Sequence, residues 1–227
     1  MTSNLIVNVY HNASIIGLMY LRPATLFHRI NTLPWYKETL QTWAGSLRYR
    51  AGDSILEVGC ASGQLTKHMS NLGAIAHGVD KSAKMLQMAN TSNTAGAHFA
   101  QASALDLPFG NNRFDYILAA SLINIISEPE MALREMVRVC KPGGKVTVLV
   151  PLAGMMDEDV ANLANELNLT GFSRAALTAW HRRAPKMQRE KLLKYFARAG
   201  LHHTSHITYL NGMVVAMTGS KRAADST

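Results

Sequence analysis

Between residues 54 and 150 the sequence alternates short apolar runs with stretches of helical periodicity, and this alternation constrains the fold more than any other feature. The apolar runs cover residues 55–58, 75–79, 98–100, 116–120 and 145–150. The stretches with apolar residues at the spacing of one helix face cover residues 64–72, 83–89 and 129–140. Alternating strands and helices need crossover connections, which produce a parallel sheet covered by helices on both faces. The sequence therefore predicts a doubly wound α/β fold.

The helix predicted over residues 129–140 has recognisable end signals. Ser127 and Glu130 have the spacing of a capping box at its start. The segment Lys141-Pro142-Gly143-Gly144 ends it, because proline cannot continue the hydrogen-bond ladder and glycine tolerates a positive φ.

The loop after the first predicted strand reads Glu57-Val58-Gly59-Cys60-Ala61-Ser62-Gly63. Its small residues allow a tight turn and a close approach of a ligand, and the N-terminus of the next helix points its free N–H groups at the same place. A dinucleotide-binding loop would have its third glycine at position 64, which is Gln64. A phosphate-binding Gly-Lys-Ser/Thr segment is also missing from this loop. The loop therefore favours a ligand that presents a carboxylate.

The second predicted strand ends in Gly78-Val79-Asp80-Lys81-Ser82. An acidic residue about 20 positions after such a loop accepts hydrogen bonds from ribose hydroxyls. The alternative is that Asp80 caps the next helix, but Ser82 can fill that position. Ribose binding is the preferred interpretation of Asp80.

Taken together, these segments resemble the successive motifs of class I S-adenosylmethionine-dependent methyltransferases, in particular the small-molecule branch that includes the ubiquinone/menaquinone C-methyltransferases. The resemblance covers residues 53–150 in register, and each motif is weak on its own. The segments that carry it are residues 57–63, 79–86, 107–109, 113–116 and 138–144, with a weaker match at residues 209–216.

The resemblance implies a Rossmann-like doubly wound sheet that is mostly parallel, with a C-terminal antiparallel strand and helices on both faces. It also implies a single methyltransferase domain over residues 1–227. Within it we expect a helical N-terminal lid (1–50), a cofactor-binding core (51–150), an acceptor-side insertion (151–185) and a C-terminal helix with strands (186–227).

The resemblance further implies S-adenosyl-L-methionine as cofactor and assigns a role to each motif. The loop would pass under the methionine part, Asp80 would hold the ribose, and Lys81 and Met85 would flank the adenine. The full set of expected cofactor-binding residues is Glu57, Gly59, Cys60, Ala61, Gly63, Asp80, Lys81, Met85, Ser103, Ala104, Leu105, Ala120 and Ser121.

This sequence departs from the family pattern at three places. Ala61 replaces the usual middle glycine, and Ser103 stands where an Asp commonly accepts from the adenine amino group. The segment that often reads Leu-His-His-Ile is Ile123-Asn124-Ile125-Ile126, so a histidine-based role there is lost. A serine hydroxyl can still accept a hydrogen bond, with less charge than a carboxylate.

A general base is required only if the acceptor loses a proton during methyl transfer. Asn124, after the fourth predicted strand, and His181, in the insertion, are the candidate catalytic residues. Tyr20 and His28 in the N-terminal segment (1–50) are further candidates for a general base.

Histidines and cysteines offer little for a metal. His202 and His206 would share one face of a predicted sixth strand while His203 would not, and we expect no metal site. Cys60 and Cys140 lack metal-type spacing and are expected to be reduced, packed thiols.

The net charge of +8 alone does not decide between partners. Residues 182–198 carry many cations against the single acid Glu190, which indicates either a solvated helix face or a surface for anionic lipid or an acidic substrate. The apolar N-terminal run is interrupted by polar residues and has no basic start, so we expect a cytoplasmic protein without a signal peptide.

The sequence thus predicts methyl transfer to a small apolar or aromatic acceptor. Methylation of RNA is an alternative suggested by the charge, but residues 119–122 lack the Asn/Asp-Pro-Pro-aromatic motif of amino-methylating enzymes, and nucleic acid is not the expected partner. A scaffold protein that binds the cofactor without catalysis is the second alternative.

Overall fold

The structure, a computed structural model, describes residues 15, 18, 21, 23–91 and 94–223. Within these residues seven strands form one sheet in the order β3-β2-β1-β4-β5-β7-β6. The strands are β1 (Ser54–Val58), β2 (Ile75–Asp80), β3 (Ala97–Gln101), β4 (Phe114–Ala120), β5 (Cys140–Pro151), β6 (Leu201–Tyr209) and β7 (Val214–Lys221). β1 to β5 pair in parallel, whereas β7 runs antiparallel to both β5 and β6. The doubly wound, mostly parallel sheet with an antiparallel C-terminal strand is confirmed.

The helices cover both faces of this sheet. They are α1 (Pro23–Asn31), α2 (Pro34–Ser46), α3 (Gln64–Asn71), α4 (Ala83–Ala89), α5 (Pro129–Val139), α6 (Asp157–Glu166), α7 (Gly171–Arg183) and α8 (Arg189–Arg198). Residues of α5 and α8 share one apolar cluster with the sheet, and residues of α2 and α3 share another. No helix in the described part of the chain is long and apolar enough to cross a bilayer.

Helix ends test the capping predictions. Ser82 caps α4, because its Oγ accepts a hydrogen bond from the N–H of Met85 at 3.3 Å. The capping box predicted for Ser127 and Glu130 is wrong, since the N-cap of α5 is Glu128 and no described side chain caps it. Pro129 occupies the first turn instead, where its fixed φ suits the start of a helix.

The fifth strand begins earlier than the apolar run at 145–150 indicated. It starts at Cys140, directly where α5 ends, and includes the proline and glycines that were predicted only to stop the helix. A Cβ on Gly144 would lie 2.8 Å from the carbonyl oxygen of Asp115, so a side chain there would block this approach to β4. A register shift between Phe114 and Tyr116 accommodates the irregular start.

The basic stretch at 182–198 is not one helix, contrary to the prediction. α7 ends at Arg183 and α8 begins at Arg189, and between them the N–H of Met187 donates to the carbonyl of Pro151 at 2.9 Å. This short bridge to the end of β5 interrupts the helix and fixes the chain at the carboxyl edge of the sheet.

α2 belongs to the core of the domain. Trp43 is fully buried and its Nε1 donates to Thr147 Oγ1 in β5 at 3.1 Å. The helices α6 and α7 pack against the N-terminal end of α2, around the buried Trp35. The N-terminal segment and the insertion therefore meet above the carboxyl ends of the strands.

Candidate functional site

The first two predicted motifs lie side by side at the carboxyl ends of β1 and β2. Val58 pairs with Val79, and the N–H groups of Gly59 and Cys60 both donate to the carbonyl of Val79, at 2.8 and 3.0 Å. The glycine loop is thus attached to the strand that carries Asp80. In doubly wound sheets ligands bind at this edge.

Asp80 connects the loop to its own strand end. Its Oδ2 accepts from the N–H of Ala61 at 2.9 Å, and its Oδ1 accepts from the N–H of Ser82 at 2.8 Å. Ala61 has a φ of 47°, a left-handed conformation that turns its N–H toward the carboxylate. Each carboxylate oxygen keeps a further lone pair, so a ribose role and this bridging role can coexist.

Two glycines let α3 approach the sheet. Gly63 has a φ of 73°, and a Cβ there would lie 2.5 Å from Cζ of Phe99. A Cβ on Gly78 would lie 2.8 Å from Thr66 Oγ1 and 2.9 Å from Cys60 Sγ. The role of Gly78 was missed, although a glycine inside an apolar strand is a known signal of close backbone approach.

α3 begins without a side-chain cap from the described residues. The N–H groups of its first turn, which face the loop, therefore receive no hydrogen bond acceptor from a capping side chain. With the helix dipole, they favour a negatively charged group such as a carboxylate.

Glu57 is buried beneath the loop with only 4% of its surface exposed. Its Oε2 accepts a hydrogen bond from the hydroxyl of Thr66. Burial raises the pKa of Glu57 to about 8, against the lowering effect of the hydrogen bonds from Thr66, and the nearby Asp80 raises it further. The side chain is thus poised to hold a proton near neutral pH and to release it when a cation approaches.

The segments expected around an adenine lie beside Asp80. The N–H of Ala102 donates to the carbonyl of Asp80 at 3.1 Å, and Ser103 Oγ accepts from the N–H of Leu105 at 3.1 Å. Ser103 thus stabilises its own turn, while Ala104 and Leu105 pack against the core. Met85 is buried and Lys81 is exposed.

Ala120 ends β4, and Ser121 follows it with a φ of 50°. The N–H of Ser121 donates to the carbonyl of Leu149 at 2.7 Å, so this N–H has a partner within the sheet. Its hydroxyl forms a hydrogen bond with Tyr36, which comes from α2.

Tyr36 links α2 to the centre of the candidate site. Burial raises the pKa of the Tyr36 phenol. The hydrogen bond between this hydroxyl and the side chain of Ser121 lowers the pKa, and the nearby charge of Glu57 raises it. The sequence suggests no specific contact for Tyr36, because no local signal predicts a contact over 85 positions, the difference between 36 and 121.

Asn124 and His181 both lie where the insertion meets the strand ends. Nδ2 of Asn124 donates to the carbonyl of Pro185 at 2.9 Å, whereas its buried Oδ1 has no partner among the described residues. Nε2 of the buried His181 lies 3.1 Å from Oδ1 of Asp157, and its Nδ1 likewise lacks a described partner. Of the other candidate bases, His28 also has a buried Nδ1 without a described partner, and Tyr20 lies outside the described residues.

The histidines of β6 are arranged differently from the prediction. A register shift between His202 and Ser205 places His202 opposite Ser220 and His206 opposite Met217. Neighbouring residues of a strand point to opposite faces, so Ser220 and Met217, three positions apart in β7, lie on opposite faces. Their partners His202 and His206 therefore also lie on different faces, and the predicted shared face is wrong. The described residues contain no group of three or more side chains able to hold a metal ion.

Both cysteines are free and buried. Burial raises the pKa of the Cys140 thiol to about 12 and that of Cys60 well above its usual range. Neither thiol is therefore activated as a nucleophile.

A protein-family model described as a methyltransferase domain matches residues 56–148. A ubiquinone/menaquinone biosynthesis C-methyltransferase from Hahella chejuensis is 37% identical over 108 residues, which are 44% of this chain and 43% of the relative. A demethylmenaquinone methyltransferase from Staphylococcus carnosus is 32% identical over 121 residues, 51% of this chain and 48% of the relative. The chain thus spans about half the length of these curated relatives.

Solved structures share the fold at low sequence identity. A SAM-dependent methyltransferase from Aquifex aeolicus has a TM-score of 0.62 at 14% identity, covering 80% of this chain and 88% of that one. The [4+2]-cyclase SpnF has a TM-score of 0.61 at 18% identity, covering 83% and 82%. Because one of these proteins is a methyltransferase and the other a cyclase, the fold alone does not determine the chemistry.

Proposed function

We propose that this chain, whose residues 56–148 match a methyltransferase-domain family model, transfers a methyl group from S-adenosyl-L-methionine to a small acceptor with an apolar or aromatic body. The observation that carries the proposal is the meeting of the 57–63 loop with Asp80 at the carboxyl ends of β1 and β2. The loop N–H groups, the uncapped start of α3 and the two acids all converge there.

The chemistry of these groups fits the cofactor. Its carboxylate suits the N-terminus of α3, its ammonium suits the buried Glu57, and its ribose hydroxyls suit the lone pairs that remain on Asp80. When bound, the cofactor supplies a methyl group on a positively charged sulfur. The protein then has to align the acceptor and exclude water, and proximity of this kind contributes several kcal/mol to such reactions.

The acceptor side is apolar. The N-terminal end of α2 contributes Trp35 to one cluster, the insertion contributes Met155 and Trp180, and the turn before β7 contributes Met213. Binding pockets of small molecules are mostly hydrophobic with a few placed polar groups, so we infer an apolar or aromatic acceptor. The curated relatives carry names from quinone biosynthesis, and quinone-type rings are the first compounds to test.

Two measurements test this proposal. Calorimetric titration with S-adenosyl-L-methionine and S-adenosylhomocysteine tests the cofactor, and a binding-competent site gives heat with at least one of them. Incubating metabolite extracts with isotopically labelled methyl donor, followed by mass spectrometry, locates a labelled product. Binding without any labelled product would favour the scaffold alternative, and a labelled nucleotide would favour RNA methylation.

Asp80→Asn should weaken cofactor binding. The change removes the charge on the ribose acceptor and places an amide N–H₂ against the N–H of Ala61 or Ser82. Loss of charged hydrogen bonds of this kind costs about 1.5–3 kcal/mol, roughly ten- to a hundredfold in affinity. Glu158→Gln, an equal charge change at an exposed position outside the site, serves as the control in the same titration. Equal affinities for the two variants would show that Asp80 does not contact the cofactor.

A further inference from the structure

Trp35 has a buried hydrogen-bond donor without a described acceptor. Only 3% of its surface is exposed, and its Nε1–H finds no partner among the described residues. The contrast is Trp43 in the same helix, whose Nε1 donates to Thr147. A buried donor that makes no hydrogen bond is costly, so an unpaired one calls for an explanation such as a ligand.

The described residues around Trp35 provide no partner for this N–H. Its cluster contains the buried apolar side chains Val160, Leu163, Ala164, Leu177 and Met213. The ring centroid of Trp180 lies 6.1 Å away. Among the described residues, this N–H is therefore left open to an oxygen of a molecule that enters the cluster.

Trp35 also lies next to Tyr36, which links α2 to the candidate site. Its ring centroid is 5.6 Å from that of Tyr36, whose hydroxyl bonds with Ser121. Ser121 directly follows β4, beside the glycine loop. A ring whose oxygen reaches Trp35 would consequently stand close to the expected methyl group.

A cavity of about 270 Å³ opens beside the same cluster, at the end of β5 and the start of β7. Met155 and Met213 line this cavity and also belong to the cluster around Trp35. Methionine side chains are flexible and adapt their packing readily. A molecule in this cavity therefore borders flexible side chains that also pack around Trp35.

We propose that Trp35 Nε1–H selects acceptors that carry a carbonyl or phenolic oxygen on an aromatic ring, and that such acceptors enter between Met155 and Met213. This inference rests on the proposed function, since it concerns the acceptor half of the same site. Trp35 is a specificity-determining residue that binds the acceptor oxygen and takes no part in the transfer itself.

The test uses the indole N–H resonances of the ¹⁵N-labelled full chain with S-adenosylhomocysteine bound. The probes are α-tetralone, a bicyclic aromatic ketone, and tetralin, the same bicycle without the oxygen. We expect α-tetralone to shift the Trp35 resonance downfield and tetralin to leave it without a downfield shift, while the resonance of Trp43 stays in place. No Trp35 shift at the solubility limit of α-tetralone, or equal shifts with both probes, would overturn the proposal.

Affinities of matched variants give a second, independent measurement. Trp35→Phe keeps an aromatic ring but removes the donor, and it should raise the dissociation constant of α-tetralone roughly tenfold while that of tetralin changes little. Trp180→Phe, the matched control in the same cluster, should not discriminate between the probes. Equal weakening of both probes in Trp35→Phe would mean that the ring only packs. Failure of S-adenosylhomocysteine to bind would instead refute the proposed function, so the two failures are distinguishable.

Discussion

At the scale of single residues, the two acids at the strand ends are held in different ways. Both oxygens of Asp80 accept backbone N–H groups, whereas Glu57 is enclosed in the core with Thr66 as its hydrogen-bonding residue. The burial of Glu57 raises its pKa to about 8 from the ordinary value of 4.5. Its ionised form is therefore disfavoured in the folded protein without cofactor.

This environment predicts a pH dependence of stability. A carboxyl group whose pKa is raised on folding stabilises the fold below its unfolded pKa, and this contribution is lost as the pH rises through the folded pKa. The affected pH range runs from about 4.5 to about 8. Within it the free energy of unfolding changes by at most about 1.4 kcal/mol per pH unit. The free energy of unfolding of the wild type should fall across this window relative to that of Glu57→Gln. Urea denaturation of both proteins at several pH values checks this, and parallel curves would contradict it.

The sequence predicts those residues of the candidate site whose signal is local in the chain. Glu57, Gly63 and Asp80 were recognised because their spacing from predicted strands is itself the signal. Trp35 and Tyr36 were expected only as part of an apolar lining for the acceptor, since their individual contacts are with distant segments that no local pattern encodes.

At the scale of elements, the junction between β1 and α3 determines how closely the loop approaches a ligand. Gly63 makes this junction possible through its positive φ and its contact with Phe99. The junction was predictable because a turn of this kind needs small residues. By contrast, the end of α5 and the break between α7 and α8 depend on distant partners. Cys140, directly after α5, pairs with Phe114 of β4, and Met187, between α7 and α8, bonds with Pro151.

Gly63→Ala should destabilise the protein and weaken cofactor binding. A non-glycine residue in the left-handed region costs about 1–2 kcal/mol, and overpacking adds about 1–3 kcal/mol, because the new Cβ would lie 2.5 Å from Phe99 Cζ. Gly45→Ala is the matched control. Gly45 lies in α2 with no described atom within 4 Å of a Cβ, and alanine should stabilise that helix by about 0.5–1 kcal/mol. Thermal melts of the two variants should move in opposite directions, and a loss confined to Gly45→Ala would contradict this account.

At the scale of the whole molecule, the N-terminal segment has two different attachments. α2 is fixed to the sheet through Trp43, whereas α1 packs through Leu26 against Ala175 and Ala176 of α7. The first attachment belongs to the core and the second to the acceptor side. This difference predicts that the cofactor site and the acceptor site can be separated by truncation.

Deleting residues 1–30 should abolish turnover while the cofactor affinity remains within about twofold of the full chain. The deletion removes most of α1 but leaves α2 with Trp35, Tyr36 and Trp43 in place. Calorimetry with S-adenosylhomocysteine and the labelled-methyl assay measure the two effects on the same preparation. Full methylation by the truncated chain would show that α1 does not cover the acceptor.

The distribution of charge over the molecule leads to a last prediction, contact with anionic membrane surfaces. α8 exposes Lys191 and Lys194 next to Leu193, and Arg189 lines the cavity that we assign to acceptor entry. Arg198, farther along the helix, is paired with Glu130 at 2.6 Å. Cations around an exposed apolar side chain suit the surface of an anionic bilayer, from which an apolar acceptor would reach the cavity directly.

Sedimentation with phosphatidylglycerol vesicles should therefore retain the wild type at low salt and release it as the ionic strength rises, because salt screens exposed charges. The double variant Lys191→Glu/Lys194→Glu should bind weakly. The control Arg50→Glu/Lys84→Glu changes the net charge by the same amount at exposed positions outside α8 and should keep most of the binding. Equal losses in both double variants would mean that net charge alone drives the contact. Absence of vesicle binding by the wild type would instead require the acceptor to reach the site from solution.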